Sequence, residues 1–330
     1  MTTFPLFHLP LLAMEHVLCM MNPYELLDLS LTSMKTRRTV KRFAKLKPKF
    51  MIDFIIFLGP PSITVKRGLV QEPSSAQEKW EFSWTTDQSK VGYEKNEFSV
   101  THNIIRYSEN QIEDLMRWYE YIKEVLGCQF HTVFFSLYMF PNQNRLIFEW
   151  ICSHQKYFVK ITIISKDKDQ SEDVKYFLSN IKSCEHLRLL GSPYKDDFHV
   201  EIPEGRDVLT VRNAGFINYE QLLRLKHQNI TLLKSILTNQ EINRFLKSWI
   251  ACESHLDLKT IQITIQSQNI MDVIMDISHE ETTDLDTLIK FYYRFSINVT
   301  RGYNIYRSDE KMATVVGTKT KDGFGLFLIC

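Results

Sequence analysis

The amino-acid sequence predicts an α/β protein, in the broad sense that includes α+β folds. A small N-terminal unit of three helices is expected before a repeat-like α/β domain closed by a β-meander. Three observations lead to this prediction. The first forty residues carry helix starts and leucines at helical spacing. From residue 108 onward, runs typical of strands alternate with runs typical of amphipathic helices. The last forty residues hold short apolar runs separated by turn residues.

Length and composition favour a globular protein of one large or two modest domains. The chain has 330 residues, of which 44% are apolar and 24% are charged, and these values are ordinary for globular proteins. The net charge of +1 provides no global positive field, so nucleic-acid binding is not expected. No apolar run reaches the roughly 18 residues of a membrane span, so no membrane partner is expected.

The cysteines and histidines show no pattern that indicates a metal, a cofactor or a disulfide framework. None of the six cysteines forms a CxxC pair, and no histidine cluster accompanies them. Reduced thiols in a cytoplasmic or nuclear protein are the expected state. The apolar start of the chain lacks the basic region of a signal peptide, because its first cationic residue is Lys35.

Residues 4–45 predict the helical unit. A first helix is expected at about Leu11–Met21, after Leu9-Pro10. A second start follows, in which Asn22 caps, Pro23 takes the first helical position and Glu25 completes a capping box.

The leucines of the second helix lie on two opposite sides of it. Leu27 and Leu31 fall on one side, and Leu26 and Leu29 fall on the other. So short a unit cannot bury both sides by itself, so either the rest of this chain or a separate protein must cover the second side.

The run from Phe4 to Phe43 resembles an F-box, and its opening and its Asn-Pro-Tyr-Glu-Leu turn resemble the nematode branch of that family in particular. The matching features are Leu9-Pro10, Val17-Leu18, Met21, Asn22-Pro23, the leucines at 26, 27, 29 and 31, and the basic residues Lys35, Arg37 and Arg38. Three departures are Leu11-Leu12 in place of an acidic pair, Thr36 in place of a frequent Trp and Thr32 in place of a frequent Val. The last two weaken the third helix.

The resemblance implies that this unit binds the small Skp adaptor of an SCF-type ubiquitin ligase, and through it the cullin core. The contacts that it implies are Leu9, Pro10, Met14, Val17, Leu18, Met21, Pro23, Leu26 and Leu29. The alternative for these residues is a role in the core of the unit, and that role is the one expected for Leu27 and Leu31.

Residues 46–107 predict a β-rich connecting region. The run 50–59 ends at Gly59-Pro60-Pro61 and is expected to form a hairpin with residues 63–70. Residues 71–79 are polar and predict a loop. Period-two alternation at 80–84 and at 97–100 predicts two further strands.

Residues 108–330 predict alternating helices and strands. Ser108 with Gln111, and Thr238 with Glu241, are expected to form capping boxes. One residue in each expected strand gives steps of 26, 28, 22, 21 and 31 along the series Phe135, Ile161, Leu189, Val211, Leu232 and Ile263.

This spacing of strands is typical of a leucine-rich-repeat-like solenoid. The Asn that such repeats carry is replaced by Ser192, Ala214 and Ser235, so a degenerate repeat is expected. A doubly wound α/β sheet is the competing fold, although no GxGxxG motif follows any strand. Expected strands at 303–307, 313–318 and 324–329 would form the closing meander.

The stretch from about 180 to 266 resembles the F-box-associated domain of nematode F-box proteins. Its most recognisable part is the helix that ends in Phe245-Leu246-Lys247-Ser248-Trp249-Ile250. The resemblance implies that this part of the chain receives a target protein, whose identity the sequence does not indicate.

The sequence carries no signature of an enzyme. The spacings HExxH, GxSxG, the P-loop and the EF-hand are absent. Asp284 and Asp286 are expected in a solvated polar loop. The leading hypothesis is therefore a non-enzymatic substrate-recruiting adaptor of the ubiquitin-like conjugation pathway. The alternatives are a repeat-type binding protein that does not engage the ligase and, third, an α/β enzyme whose site forms only in the fold.

Overall fold

The computed structural model describes residues 6–46, 50–67, 78–96, 100–195, 197–265 and 271–330. The chain divides into two compact units, Met1–Met139 and Phe140–Cys330. The domain boundaries predicted at 45 and 107 both lie inside the first unit, whose helices and strands pack on one another. Among the described residues, no helix is both long enough and apolar enough to cross a lipid bilayer.

The first unit begins with the three expected helices. The α-helices of this unit are α1 (Leu11–Met20), α2 (Pro23–Thr32), α3 (Met34–Leu46) and α4 (Gln111–Leu126), and a short 3₁₀ helix, Leu6–His8, precedes them. The capping box predicted for α2 is confirmed: the Asn22 side chain accepts from the Glu25 N–H at 2.8 Å, and the Glu25 carboxylate accepts from the Asn22 N–H at 2.9 Å.

The capping box predicted for α4 is wrong. The Ser108 hydroxyl accepts from the Asn110 N–H at 3.0 Å, and no side chain caps the helix. The Gln111 amide donates to the Trp84 carbonyl at 2.5 Å, so a tertiary contact takes the side chain that the local pattern assigned to the cap.

The strands of the first unit form a mixed sheet. They are β1 (Phe50–Ile56), β2 (Ser62–Arg67), β3 (Lys79–Thr85), β4 (Gly92–Asn96), β5 (Thr101–Tyr107) and β6 (Phe130–Ser136), in the order β6-β1-β2-β3-β5-β4. The predicted hairpin of β1 with β2 is confirmed over the described residues, since the two strands pair antiparallel from Phe50↔Arg67 onward. The loop predicted at 71–79 and the strand predicted at 97–100 lie mostly outside the described residues.

The second unit alternates helices with strands as far as Ile265, except that β9 follows β8 with no helix described between them. Its α-helices are α5 (Asn144–His154), α6 (Ser171–Asn180), α7 (Tyr219–Arg224), α8 (Asn239–Ile250), α9 (Met271–Ile274) and α10 (Leu285–Phe295). Its strands are β7 (Tyr157–Ser165), β8 (Ser183–Gly191), β9 (Val208–Val211), β10 (Asn229–Leu232), β11 (Thr260–Ile265), β12 (Glu280–Thr282), β13 (Gly302–Tyr306), β14 (Met312–Thr320) and β15 (Gly323–Ile329).

Strands β7 to β11 lie parallel and in chain order, and β12 to β15 form the expected antiparallel meander. The meander joins the parallel strands through β15, which pairs antiparallel with β11. The doubly wound alternative requires the strand order to reverse, and the order β7 to β11 does not reverse. Because crossovers between parallel strands are almost always right-handed and these all step in one direction, α6, α7 and α8 are expected on one face of these strands.

A recurring burial pattern accompanies the parallel strands. Buried residues stand three positions apart and then two in β7, in β8, at β10 and at β11, namely Phe158/Ile161/Ile163, Cys184/Leu187/Leu189, His227/Ile230/Leu232 and Leu258/Ile261/Ile263. The pattern is compatible with a leucine-rich-repeat-like array without confirming one, so that description stays a prediction.

The polar loop predicted around Asp284 is wrong. Asp284 caps α10, since its carboxylate accepts from the Thr287 N–H at 2.9 Å, and Asp286 lies in the first helical turn. The buried residues Leu288 and Phe291 of α10 pack with Val316 and Phe327. The capping box predicted for α8 is confirmed, because the Thr238 hydroxyl accepts from the Glu241 N–H at 3.2 Å.

Candidate functional site

The inner side of the three N-terminal helices is covered by the chain itself. Leu26 and Leu27 are 0% and 1% exposed. The ring of Tyr24 stacks on Trp80 of β3 with centroids 5.4 Å apart. The hydroxyls of Ser30 on α2 and Tyr121 on α4 lie 2.6 Å apart within hydrogen-bonding distance. Strand β3 and helix α4 therefore contact α2 from within the first unit.

Polar contacts fasten the same helices to the rest of the first unit. Arg37 of α3 pairs with Glu124 of α4, and the Lys41 ammonium lies 3.4 Å from the same carboxylate. Desolvation opposes ionisation of Glu124, but the hydrogen bonds from Lys41 and Arg37 outweigh it and lower the pKa of this carboxyl. Arg67 of β2 donates to the backbone carbonyl of Cys19, at 2.8 Å, and to that of Met21 at the end of α1.

The outer side of the helices exposes large apolar side chains. The exposed fractions are 50% at Leu11, 72% at Leu12, 77% at Met20, 53% at Leu31, 62% at Met34 and 64% at Leu46. A groove of about 220 Å³ runs between α1 and α3, and its lining includes Leu11, Met14, Phe43 and Leu46. Exposed apolar side chains in this number are typical of an interaction surface.

The second unit has a solvent-facing strand surface opposite its helices, which we call the open face. Its central row runs in register across β7 to β11 and consists of Thr162, Arg188, Thr210, Thr231 and Gln262. Thr162 is buried, whereas the other four side chains are partly or fully exposed. Helix α10 borders this face at β10 and β11, where Arg294 donates to Asn229 at 2.9 Å and to Thr260 at 3.1 Å.

A network of polar side chains lies along one end of the open face. The His186 ring lies 2.9 Å from the Asp207 carboxylate, and Asn229 donates to the same carboxylate at 3.2 Å. Thr260 donates to the Asn229 side-chain oxygen at 2.9 Å. These bonds fix the side chains that border the face, as a surface for specific recognition requires.

A cavity of about 770 Å³ lies at the end of the parallel sheet where β8 to β11 begin. Its lining includes two histidines, His227 and His255. Burial lowers the pKa of His227 to about 4, helped by His255 and opposed by Asp207. Burial also lowers the pKa of His255 to about 4. Among the residues that the structure describes, no group of three His, Cys, Asp or Glu side chains is arranged to hold a metal ion.

Two family models match the chain. Residues 6–47 match the F-box domain, and residues 197–263 match the domain described as F-box associated. The chain carries an F-box and an F-box-associated domain. Both are adaptor and recognition modules and not catalytic domains, and together they indicate a substrate-recognition adaptor of an SCF-type ubiquitin ligase. No curated protein and no solved structure matches the chain.

The F-box match covers α1, α2 and α3, and it places the predicted adaptor contacts in three environments. Pro10 is exposed, and Leu9, Met14, Val17, Met21 and Leu29 are half-buried. Leu18, Pro23 and Leu26 are buried. Their own unit covers these three in the isolated chain, and their contact with the adaptor stays a prediction. Leu31, expected in the core, is exposed instead.

Sequence reasoning missed part of the exposed F-box surface. Met20, Met34 and Leu46 were not among the predicted contacts, although together with Leu12 they are the most exposed large apolar residues of the F-box. The spacing of Leu12, His16 and Met20 by four residues was the available signal, since such residues share one stripe of a helix. Thr36 is buried and donates to the Ser33 carbonyl at 2.6 Å, so it helps to start α3.

The F-box-associated match covers β9, α7, β10 and α8, and it ends within β11. It therefore includes Thr210, Thr231 and Gln262 of the open face. Arg188 precedes it in the chain and continues the same row on β8.

Proposed function

We propose that the F-box of this chain binds a small Skp-type adaptor and, through it, the cullin core of an SCF ubiquitin ligase, while the second unit holds a target protein. The chain would act by position: it would raise the effective concentration of the target near the transfer enzyme without reacting itself. A cytoplasmic or nuclear location belongs to this proposal, because all six cysteines are free thiols.

The exposed apolar surface of the F-box helices is the observation that carries this proposal. Burying apolar surface contributes roughly 25 cal/mol for each Å² removed from water, and large exposed apolar patches mark interaction sites. Leu12, Met20 and Leu46 are more than 60% exposed. Predicted contacts that reach the surface lie on or beside the same helices: Pro10 precedes α1, and Met14 lines the groove with Leu46.

The buried predicted contacts take a supporting role in the proposal. Leu18 and Leu26 hold α1 and α2 against the rest of the first unit, so they present the contact residues without touching the adaptor themselves. Their substitution is expected to remove binding by unfolding the F-box, which is a different cause from loss of contact.

A pull-down of a purified Skp-type adaptor by the full chain tests this proposal. The variant Leu12→Asp/Met20→Asp places two carboxylates on the patch, and we expect binding to weaken by more than roughly 100-fold because burying a charge costs several kcal/mol. The matched control is Leu58→Asp/Val91→Asp, whose residues are 73% and 45% exposed in the same unit but outside the F-box.

Binding by the wild type and the control, with loss in the F-box variant, supports the proposal. Failure of the folded wild type to bind would refute it and favour the alternative, a binding protein that does not engage the ligase. The departures at Thr32, the last residue of α2, and at Thr36 in α3 motivate that alternative, since they replace bulkier residues that are frequent at these positions in the family. Equal loss in the F-box variant and the control would also refute the assignment of the surface.

For the second unit, we propose a degenerate leucine-rich-repeat-like array that offers its open face to the target. The parallel strands in chain order support it, as does burial at intervals of three and two residues. The repeat Asn that this chain lacks would bond the backbone of a neighbouring strand. Asn213 partly takes that role, because its side chain donates to the Gly191 carbonyl at the end of β8.

A further inference from the structure

Three cationic side chains stand on the open face. Lys160 belongs to β7, Arg188 to β8, and Arg212 directly follows β9. Their chain neighbours Ile161, Leu187 and Val211 are fully buried on the helix side. Because successive side chains of a strand point to opposite faces, the three cations lie on the open face.

Strand register places these cations on one diagonal line. Lys160 pairs with His186, two residues before Arg188. Arg188 pairs with Thr210, two residues before Arg212. Strand spacing and rise per residue then put consecutive cations about 8 Å apart, measured between their Cα atoms.

The three cations have no acidic partner in the described part of the chain. The two acids closest to them in sequence are engaged elsewhere: Glu185 accepts from the Arg206 N–H at 3.2 Å, and Asp207 lies 2.9 Å from His186. Three unpaired positive charges are therefore collected on one surface of a chain whose net charge is only +1.

We infer that the open face docks an extended acidic segment of the target protein, with Lys160, Arg188 and Arg212 pairing with its carboxylates. This inference rests on the proposed role of the second unit in holding a target. Alternate side chains of an extended peptide stand roughly 7 Å apart on one side, so acidic residues at every second position can follow a line of cations about 8 Å apart. The long Lys and Arg side chains absorb the difference, and each Arg can bind a carboxylate through two hydrogen bonds.

The rest of the open face suits a peptide in this position. Thr210 and Thr231 stand in the row of Arg188, partly exposed, and their hydroxyls can bond the peptide backbone. Helix α10 borders the face at β10 and β11 through Arg294, and the three cations lie on β7, β8 and just after β9, away from this helix.

The test measures binding of a short fluorescein-labelled peptide, in which Glu alternates with Thr, to the full chain by fluorescence anisotropy. The variant Arg188→Glu/Arg212→Glu reverses two charges of the line, and we expect binding to weaken roughly tenfold, as exposed charge pairs contribute modestly each. The matched control Lys175→Glu/Lys226→Glu makes the same change in net charge at two exposed cations outside the open face. Both variants are compared with the wild type by thermal unfolding.

Weakening in the open-face variant alone, with no binding of a Lys-Thr peptide to the wild type, supports the inference. Equal weakening in both variants would overturn it by showing a bulk charge effect, and so would the absence of binding to the wild type. Binding of only a phosphoserine version of the peptide would overturn the choice of carboxylates. The adaptor pull-down with the full chain tests substitutions in the F-box and leaves the open face unchanged, so its result separates failure of the proposed ligase role from failure of this inference.

Discussion

The burial of His227 makes the stability of the second unit depend on pH in a defined window. The side chain is 3% exposed, and its ring nitrogens have no hydrogen-bond partner among the described residues. It occupies the place that Leu258 takes at β11 in the recurring burial pattern. Burial therefore lowers the pKa of His227 to about 4, with His255 adding to the effect and Asp207 opposing it.

The direction follows from proton binding in the two states. An unfolded histidine has a pKa of about 6.5, so the unfolded chain binds a proton at this residue below that pH. In the folded chain His227 becomes protonated only near pH 4. Stability is therefore expected to fall as the pH is lowered through this window. A pH of about 5 lies about 1.5 units below the pKa of an unfolded histidine. The unfolding free energy is therefore expected to be about 2 kcal/mol lower there than at neutral pH.

Urea unfolding of the full chain at about pH 7 and about pH 5 measures this loss. We expect His227→Leu to reduce the pH-dependent loss by about 2 kcal/mol relative to the wild type, because leucine does not titrate. The control His199→Leu replaces an exposed histidine of the same unit and is expected to keep the wild-type dependence. A His227→Leu protein that loses as much stability as the wild type would refute the reasoning.

Two further predictions concern the helices. Thr238→Ala removes the hydroxyl that caps α8 and is expected to lower the unfolding free energy by about 1 kcal/mol, measured by urea unfolding; no change would mean that the cap is dispensable. Leu26→Asp places a carboxylate at a fully buried position and is expected to cost several kcal/mol, whereas Leu12→Asp at a 72% exposed position is expected to change stability by less than about 0.5 kcal/mol. Thermal unfolding of both variants without the adaptor checks this, and similar melting temperatures would contradict the assigned burial.

Elements with strong local signals were predicted well from the sequence. The starts of α2 and α8 carry complete capping boxes, in which side chains three residues apart bond each other's backbone. The β1–β2 hairpin follows from two β-rich runs around Gly59-Pro60-Pro61. The capping contacts join residues three apart, and the hairpin joins two strands that follow each other in the chain, so the local sequence contains these interactions.

Helix α10 and strand β4 were missed for different reasons. The cluster of acids near Asp284 suggested a loop, although Asp284 capping a run with Leu288 and Phe291 at helical spacing was an available signal. Strand β4 is exposed along its whole length, so it shows no alternation of buried and exposed residues. Only its pairing with β5 defines it, and pairing is not a local property.

The environment of the candidate site depends on contacts between residues far apart in the chain. Helical periodicity correctly indicated that α2 has two apolar sides, but it could not decide which molecule covers each side. The contacts of Tyr24 with Trp80, and of Ser30 with Tyr121, join residues far apart in the chain, and Leu26 is buried within the same unit. No spacing within residues 4–45 contains these contacts.

The same contacts hold the F-box helices in place before any adaptor binds. Because α2 and α3 are held by β3 and α4, the exposed apolar patch is presented by a surface already fixed in place. A preorganised surface loses less conformational entropy on binding than one that must fold first. Substitutions at Tyr24 or Arg37, which lie on the covered side, would then weaken adaptor binding by loosening the helices, in proportion to their effect on the stability of the first unit. Substitutions at Leu12 or Met20 would weaken it without that effect, so the two classes of residue can be told apart by stability alone.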